Sequence, residues 1–488
     1  MLLSLLLLVS VLAGLSVFLA SQERTLHRIV LTGSTLVGIL ALFVGISALP
    51  TTPHLFGGGW WYVDPFAALL IILIGFIQWT ATLTSIPYLH EEMHEGVVTW
   101  AQARMYYLLL QLFVFSMLLT VISNNIGLMW VALEGTTLAT TLLVAFYTRE
   151  GSLEAAWKYI LICSVGITLG ILGLLLVVYA SQQGGLSIGH ALTWTALGAA
   201  ASTFPPALMR WAFVFIFIGY GAKVGLVPMH TWLPDAHGRT PSPISAMLSG
   251  VLLNVALFAI LRYKSLVDAS LGSAVWTQRF FLFFGALSFL LPIAFVIIQR
   301  NYKRLLAYSS IEHMGLIVFA IGLGAPGMIA AVIHIVGHAL AKSLLFFGTG
   351  NILLRWKSTK IEHVGAVMQV LPRTGTLFLL GVLALLALPP SPLFLSEYLI
   401  VSAAFAHHPV LILVLLLGGV LIFGGMINLL MPLLYTKREG VESPVSSEPW
   451  NLSHTAMTLH VLALIGVGVF CLTPFARTLI ADMVSYLL

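Results

Sequence analysis

Long apolar stretches, parted by short clusters of charge, Gly, Pro and Asn, follow one another along the chain. Cut at those clusters, the pattern predicts fourteen helices, over 1–20, 28–48, 65–86, 105–122, 125–147, 155–180, 210–232, 243–262, 277–298, 305–322, 328–354, 374–404, 410–434 and 455–484. A helix crosses a bilayer with about 20 mostly apolar residues, whereas a barrel strand uses about 10 of alternating character. The runs are of the first kind, so the expected fold is an all-α polytopic membrane protein. No Lys or Arg precedes the first run, and the first basic residue is Arg24. A secretory signal carries positive charge ahead of its apolar stretch, so this run reads as a retained helix.

Two runs are interrupted. The 374–404 stretch holds Pro389, Pro390 and Pro392, and as one straight helix it would measure about 46 Å against about 30 Å of hydrocarbon. GYGAKVGLVPMH interrupts the seventh run with Gly219, Gly221, Gly225 and Pro228. Each break falls on the fourth helix of a set of five, the fourth to eighth and the ninth to thirteenth, and each has an ionisable neighbour, Lys223 or Glu397. Broken helices at matching places point to inverted repeats with transport chemistry at the breaks. The expected organisation is N-terminal helices in 1–104, a first inverted repeat in 105–262, a second in 277–434 and a last helix in 455–488.

Of 488 residues, 59% are apolar and 8% charged, and the mean hydropathy is +1.03. A soluble domain carries about 25% charged residues, so lipid is the expected surrounding. The net charge of +5 comes without a basic tail or an aromatic-lined basic groove, which leaves nucleic acid unsupported as a partner. Cys163 and Cys471 lie in separate apolar runs without a CxxC or Cys/His cluster. That excludes a thiolate-built iron–sulfur, haem or zinc site within this chain, and the two read as packing residues. Most Lys and Arg follow odd-numbered helices, from Arg24 and Arg28 to Lys437 and Arg438, while the other side holds Arg210, Arg262, Lys264 and Arg279. By the positive-inside rule the odd loops are cytoplasmic and both termini face outward. On the outer side, Trp60, Trp61 and Tyr62 read as interfacial anchors, and Asp64, ahead of Pro65, as a helix cap.

The charges left inside apolar runs matter most, because an ionisable group in mid-bilayer costs several kcal/mol and is usually functional. Glu134, in WVALEGTTLATT, and Lys223 suggest a buried pair. At about 4 Å and an effective dielectric of about 20, two such charges interact by about 4 kcal/mol, so helix breathing that parts them would release a proton from the lysine. His334, His338 and Lys342, in HIVGHALAK, share one helix face. Imidazoles that donate, accept and titrate near neutrality suit a proton relay, and with no HExxH glutamate or third ligand evident, a metal is not expected there. Glu397, after the proline break, is the natural terminal carboxylate. In the eighth run Ser249 and Asn254 offer a water-bridged step, although Asn254 itself does not titrate. In HTWLPDAHGRTPSP, the set His230, Asp235, His237 and Arg239 reads as capping and loop pairing ahead of proton entry. Glu312 and His313 fall in the first turns of the tenth run, toward the cytoplasmic face, and Glu91, Glu92, His94 and Glu95 read as a solvated loop.

ALEGTTLATTLLVAFY, SLEAAWKYILICSVGITLGILG, GAKVGLVPMHTWLPDAHGRTPSPISAMLSGVLLN, YKRLLAYSSIEHMGLI, HIVGHALAKSLLFFGTGNI and PPSPLFLSEYLI, in this order, resemble the antiporter-like membrane subunits of respiratory complex I and its relatives. WKYI followed by Cys, SSIEHMG, LLN and GTGN look most like the F subunit of hydrogenase-4 and formate hydrogenlyase complexes, the group 4 membrane-bound nickel–iron (NiFe) hydrogenases. The resemblance implies fourteen helices, two inverted five-helix repeats and broken helices seven and twelve. It implies proton translocation powered by electron transfer in neighbouring subunits. The family's coupling glutamate maps onto Glu134, its central lysine onto Lys223, its helix-eleven histidines onto His334 and His338, and its helix-twelve acid or lysine onto Glu397; Lys158 matches a lysine seen in relatives. The resemblance further implies no cofactor in this chain, with the nickel–iron centre and iron–sulfur clusters in partner subunits. Those partners are other antiporter-like and small membrane subunits, a quinone-site-like anchor subunit and peripheral hydrogenase or dehydrogenase subunits. Many relatives carry Lys or His where Asn254 stands, so the charged axis is interrupted at one step.

Three functions are compatible with the sequence: a proton-conducting subunit of a redox complex, a subunit of a multisubunit sodium/proton antiporter, or a non-conducting scaffold. The density of buried titratable groups favours the first, since a scaffold gains nothing from charges that costly.

Overall fold

The computed structural model describes residues 2–49, 54–405, 408–437 and 448–487, so Arg438 and part of the loop before Trp60 lie outside the described residues. α1 (Leu2–Leu15) passes through a 3-10 turn into α2 (Glu23–Ala48). A hairpin of β1 (His54–Phe56) and β2 (Trp61–Val63), antiparallel with Leu55 opposite Tyr62, leads to α3 (Pro65–His94). Then come α4 (Trp100–Ile122), α5 (Ile126–Val144), α6 (Glu150–Gln183), the short α7 (Trp194–Ala200), α8 (Pro206–Val224), α9 (Trp232–Arg239) and α10 (Ser242–Met247). A π-helical turn, Leu248–Leu252, joins α10 to α11 (Leu253–Leu271). The second half holds α12 (Val275–Ile298), α13 (Tyr302–Gly322), α14 (Ala325–Trp356), α15 (Val367–Val370), α16 (Pro372–Leu385), α17 (Pro392–Phe405) and α18 (Pro409–Tyr435), and α19 (Leu452–Phe470) and α20 (Pro474–Ser485) close the chain. Among the described residues thirteen helical stretches are long and apolar enough to cross a membrane, counting Ser242–Leu271 as one, and α16 and α17 supply the proline-broken run.

The helices start where side chains satisfy the free amides of their first turns. Asp64 accepts from the Ala67 amide at 2.8 Å, as expected of a cap. Thr99 and Gln102 form a capping box on α4, and Asn125 and Asn301 cap α5 and α13. Small residues bring neighbours together. A Cβ on Gly219 of α8 would stand 2.5 Å from the Gly166 carbonyl of α6, and one on Gly322 of α13 would stand 2.7 Å from the Leu282 amide of α12. α14 occupies the centre, packed on α3, α10, α13, α16, α17 and α19.

Several details differ from the sequence pattern. The seventh run ends at Val224 because Gly225 takes a left-handed conformation, φ +81°, and the chain restarts as α9. The last run is two helices, with Thr473 capping the second. Arg262 and Lys264 are buried inside α11 rather than lying at a helix end in water. Arg262 donates to Asp64 and is surrounded by the rings of Tyr62, Trp194 and Phe258 at 5.0, 4.3 and 4.5 Å, while Lys264 pairs with Asp268 at 2.7 Å. Tyr62 therefore serves this buried cation, while Trp60 keeps the exposure of an anchor. Glu92 is likewise buried near the end of α3, accepting from the Tyr147 hydroxyl at 2.7 Å. Both cysteines are buried and unpaired.

Candidate functional site: buried polar groups at two helix breaks

At the first break, Lys223 is the penultimate residue of α8 and is fully buried. Its Nζ donates to the Thr137 hydroxyl and to the Leu133 carbonyl at 3.3 Å. The Thr137 hydroxyl donates in turn to Glu134 Oε2 at 3.1 Å, and Ser164 donates to Glu134 Oε1 at 3.1 Å. The sequence suggested a buried pair in direct contact; the structure buries Lys223, leaves Glu134 half-buried and joins the two through one hydroxyl instead. A hydroxyl both donates and accepts, so Thr137 couples carboxylate to ammonium without the two touching. Tyr159 lies beneath Lys223, with Nζ 5.8 Å from its ring centre.

Lys342 of α14 repeats this pattern in the second half. It is fully buried and donates to the Leu306 carbonyl at 2.8 Å and to the Ser309 hydroxyl, both on α13. Ser309, Glu312, His313 and Glu397 line a cavity of about 340 Å³ between α13, α17 and α18, the rest of whose wall is apolar. Glu312 and His313 are not near the helix start. α13 begins at Tyr302 under the Asn301 cap, which puts them about 15 Å along it at 1.5 Å per residue. His313 Nδ1 lies 2.9 Å from His334 Nε2, and His334 Nδ1 lies 2.9 Å from Ser396 Oγ. His338 is fully buried, its ring centre 5.4 Å from that of His313, and neither of its ring nitrogens has a hydrogen-bond partner.

Between the halves lies the π turn. Asn254 donates to the Gly250 carbonyl at 2.8 Å and leaves its own buried Oδ1 unpartnered, while Ser249 shares a 2.8 Å hydrogen bond with Ser310 of α13. A Cβ on Gly250 would stand 2.5 Å from Ser343 Oγ, so this turn lies against α14 one residue from Lys342. Asn254 Oδ1 is thus a buried acceptor with its hydrogen-bonding capacity unused.

Other candidates sit toward the basic end. Lys158 is half exposed and paired with Glu154 at 2.6 Å and Asp235 at 3.1 Å, and Asp235 also meets Arg304 at 3.1 Å. These are ion pairs at the margin, outside the buried series. His230 is buried with an unpartnered Nδ1. His237, taken for a capping residue, is fully buried, stacked on Phe346 at 4.9 Å, with both nitrogens unpartnered. Sequence reasoning also missed Lys303, buried and donating to the Thr240 carbonyl, and His460 of α19, which joins Thr80 at 2.9 Å to the Leu340 carbonyl at 3.0 Å. For His460 the available signal was an ionisable residue within a helical apolar run; Lys303 lies among the charges ahead of the 305–322 run and carried no such signal.

Comparison with known proteins agrees with this architecture. Residues 123–422 match the family described as NADH:quinone oxidoreductase/Mrp antiporter, transmembrane. The chain is 40% identical over 415 residues to a hydrogenase-4 component F homolog of Methylacidiphilum infernorum, covering 85% of this chain and 86% of that one. It is 29% identical over 369 residues to hydrogenase-4 component B of Escherichia coli, covering 73% of this chain and 52% of the other. Its fold is similar to a chain of the archaeal membrane-bound sulfane sulfur reductase, with a TM-score of 0.85 at 23% identity over 99% of this chain and 96% of that one. It is also similar to a chain of the Mrp complex from Dietzia, at 0.82 and 17% over 99% and 97%. The matched region contains both helix breaks, the half-buried Glu134 and Glu397, and the buried Lys223, Glu312, His313, His334, His338 and Lys342, and the chain belongs to the NADH:quinone oxidoreductase/Mrp antiporter transmembrane family.

Proposed function

We propose that this chain is the proton-translocating, antiporter-like subunit of a multisubunit redox complex of the hydrogenase-4, formate hydrogenlyase or complex I type. It spans the prokaryotic cytoplasmic membrane with both termini outside, beside other antiporter-like and small membrane subunits and a quinone-site-like anchor subunit. Electron transfer runs in peripheral hydrogenase or dehydrogenase partners, which hold the nickel–iron centre and iron–sulfur clusters, and this chain contributes no redox centre.

The observation that carries the reading is the duplicated arrangement of a buried lysine tied by a hydroxyl to the second helix of its own half: Lys223 to Thr137 on α5, and Lys342 to Ser309 on α13. Each of those helices also carries a carboxylate, Glu134 or Glu312. Lys223 lies on the fourth helix of its set and Lys342 on the third, so this likeness is one of chemistry; what supports two inverted repeats, 105–262 and 277–434, is the pair of breaks on the fourth helix of each set. Charges at such depth cost several kcal/mol and persist where protons or ions move. Protons enter near Lys223, cross by water at Asn254 and the histidines His334 and His338, and leave near Glu397. Withdrawal of Glu134 weakens the hold on the Lys223 proton, which then passes along the series.

Replacing Lys223 with Ala should abolish proton pumping by the parent complex in vesicles while the complex still assembles; unchanged pumping overturns the reading. Membership of a family that includes Mrp antiporters favours sodium/proton exchange as the second reading, which predicts sodium-dependent proton flux by the isolated protein. A scaffold predicts that Glu134→Gln and Lys223→Met leave pumping intact.

A further inference from the structure

The sequence offered a histidine pair on one helix and no third ligand. Folding brings one in from each side. His313 of α13, His334 of α14 and Glu397 of α17 each present a donor atom within 4.8 Å of the other two. We propose that these three residues form a binding site for a zinc-type divalent ion, with its fourth position open to the cavity, and that occupancy arrests proton movement.

The chemistry of the donors supports this. A zinc ion bound by two histidines and a carboxylate, with water as fourth ligand, has Zn–N distances of about 2.0–2.1 Å and Zn–O of about 2.0–2.2 Å. Tetrahedral geometry then sets donors about 3.3–3.5 Å apart. His313 Nδ1 and His334 Nε2 are 2.9 Å apart, so an opening of a few tenths of an ångström lets a metal replace the proton they share. Metal-binding histidines are normally held by a partner on the other ring nitrogen; His334 has such a hydrogen bond, and His313 has a carboxylate close by. His334 Nδ1 meets Ser396 Oγ at 2.9 Å, and His313 Nε2 faces Glu312 Oε2 at 3.5 Å. Glu312 and Glu397 together balance a double positive charge in a site where an uncompensated charge is costly. Two imidazoles favour zinc-type ions over sodium, magnesium or calcium, which prefer all-oxygen shells. The cavity touches Glu312, His313 and Glu397 and has room for the fourth ligand.

Binding does not depend on the function proposed above, whereas inhibition does. The test is a zinc titration by calorimetry on the full chain in lipid nanodiscs, with zinc-edge absorption spectroscopy reading the ligand set. The half-buried Glu23 with the exposed His90 and His94 forms a second possible group, so the measurements are made with His90→Ala and His94→Ala in place. One zinc per chain with two imidazole ligands is expected, its affinity falling tenfold or more in His313→Gln and in His334→Gln. His313→Asn, with thermal unfolding followed in parallel, covers the case of a variant that does not fold. No binding, oxygen-only coordination, or folded variants with undiminished affinity overturn the site. In vesicles of the parent complex, zinc should slow proton pumping in the wild type and lose that effect in His313→Gln. Bound zinc with unslowed pumping overturns the arrest. Bound zinc in a wild type that pumps nothing likewise overturns the arrest and refutes proton translocation, leaving only the site.

Discussion

Thr137 carries more than its place in a threonine-rich helix suggests. Thr136, Thr140 and Thr141 donate to backbone carbonyls three or four residues earlier, as buried helix threonines do, whereas Thr137 donates to Glu134 and accepts from Lys223. Hydrogen bonds to charged groups contribute about 1.5–3 kcal/mol. Thr137→Val should therefore lower pumping about tenfold or more with the fold intact, and Thr137→Ser should restore it, measured as proton uptake by reconstituted vesicles. Glu134, Lys223 and Lys342 were legible in the sequence because a charge inside an apolar run identifies itself. The bridge was not, because nothing in a helical repeat of threonines says which hydroxyl will meet another helix. Glu312 and His313 were visible as residues but misplaced in depth, since their distance from the membrane face follows from the Asn301 cap.

At the scale of elements, helix ends depend on partners far away in the chain. The first turn of α16 is closed by Glu448, which accepts from the amides of Arg373 at 2.7 Å and Thr374 at 3.1 Å, and His454 of α19 lies 2.8 Å from the same carboxylate. A carboxylate at a helix N-terminus is stabilised by the free amides and the helix dipole. Burial pushes the Glu448 carboxyl up, but the hydrogen bonds from His454 and Thr374 outweigh it and hold it below the ordinary value of 4.5. Its contribution is therefore complete above pH 4.5 and is lost as pH falls through the lower folded value. Glu448→Gln should cost about 1–3 kcal/mol at neutral pH, lowering the melting temperature there. The wild type's advantage over the variant should shrink as the pH falls below 4.5. The two helix breaks were legible because Gly and Pro interrupt a helix wherever it packs. The clamp on α16 was not, because its two sides are more than 70 residues apart.

For the whole molecule, the distribution of basic residues predicts which face lies in the cytoplasm. With Cys163 and Cys471 replaced by Ala, a cysteine at exposed Ser187 should react with an impermeant maleimide from outside intact cells. One at Lys360 should react only after permeabilisation, and the reverse labelling would invert the proposed orientation. The sequence by itself determined that the chain lives in a bilayer, about how many stretches are long and apolar enough to cross it, where two of them break and which charges stand inside apolar runs. Those properties follow from local hydropathy and backbone chemistry, which a linear pattern records. Only the tertiary structure decided that Glu134 and Lys223 share a hydroxyl, that Arg262 belongs to Asp64, and that His313, His334 and Glu397 converge beside one cavity. Each of those contacts joins different helices. Their geometry is set by close approach at glycine faces and by the ends of the helices, which no periodicity along the chain encodes.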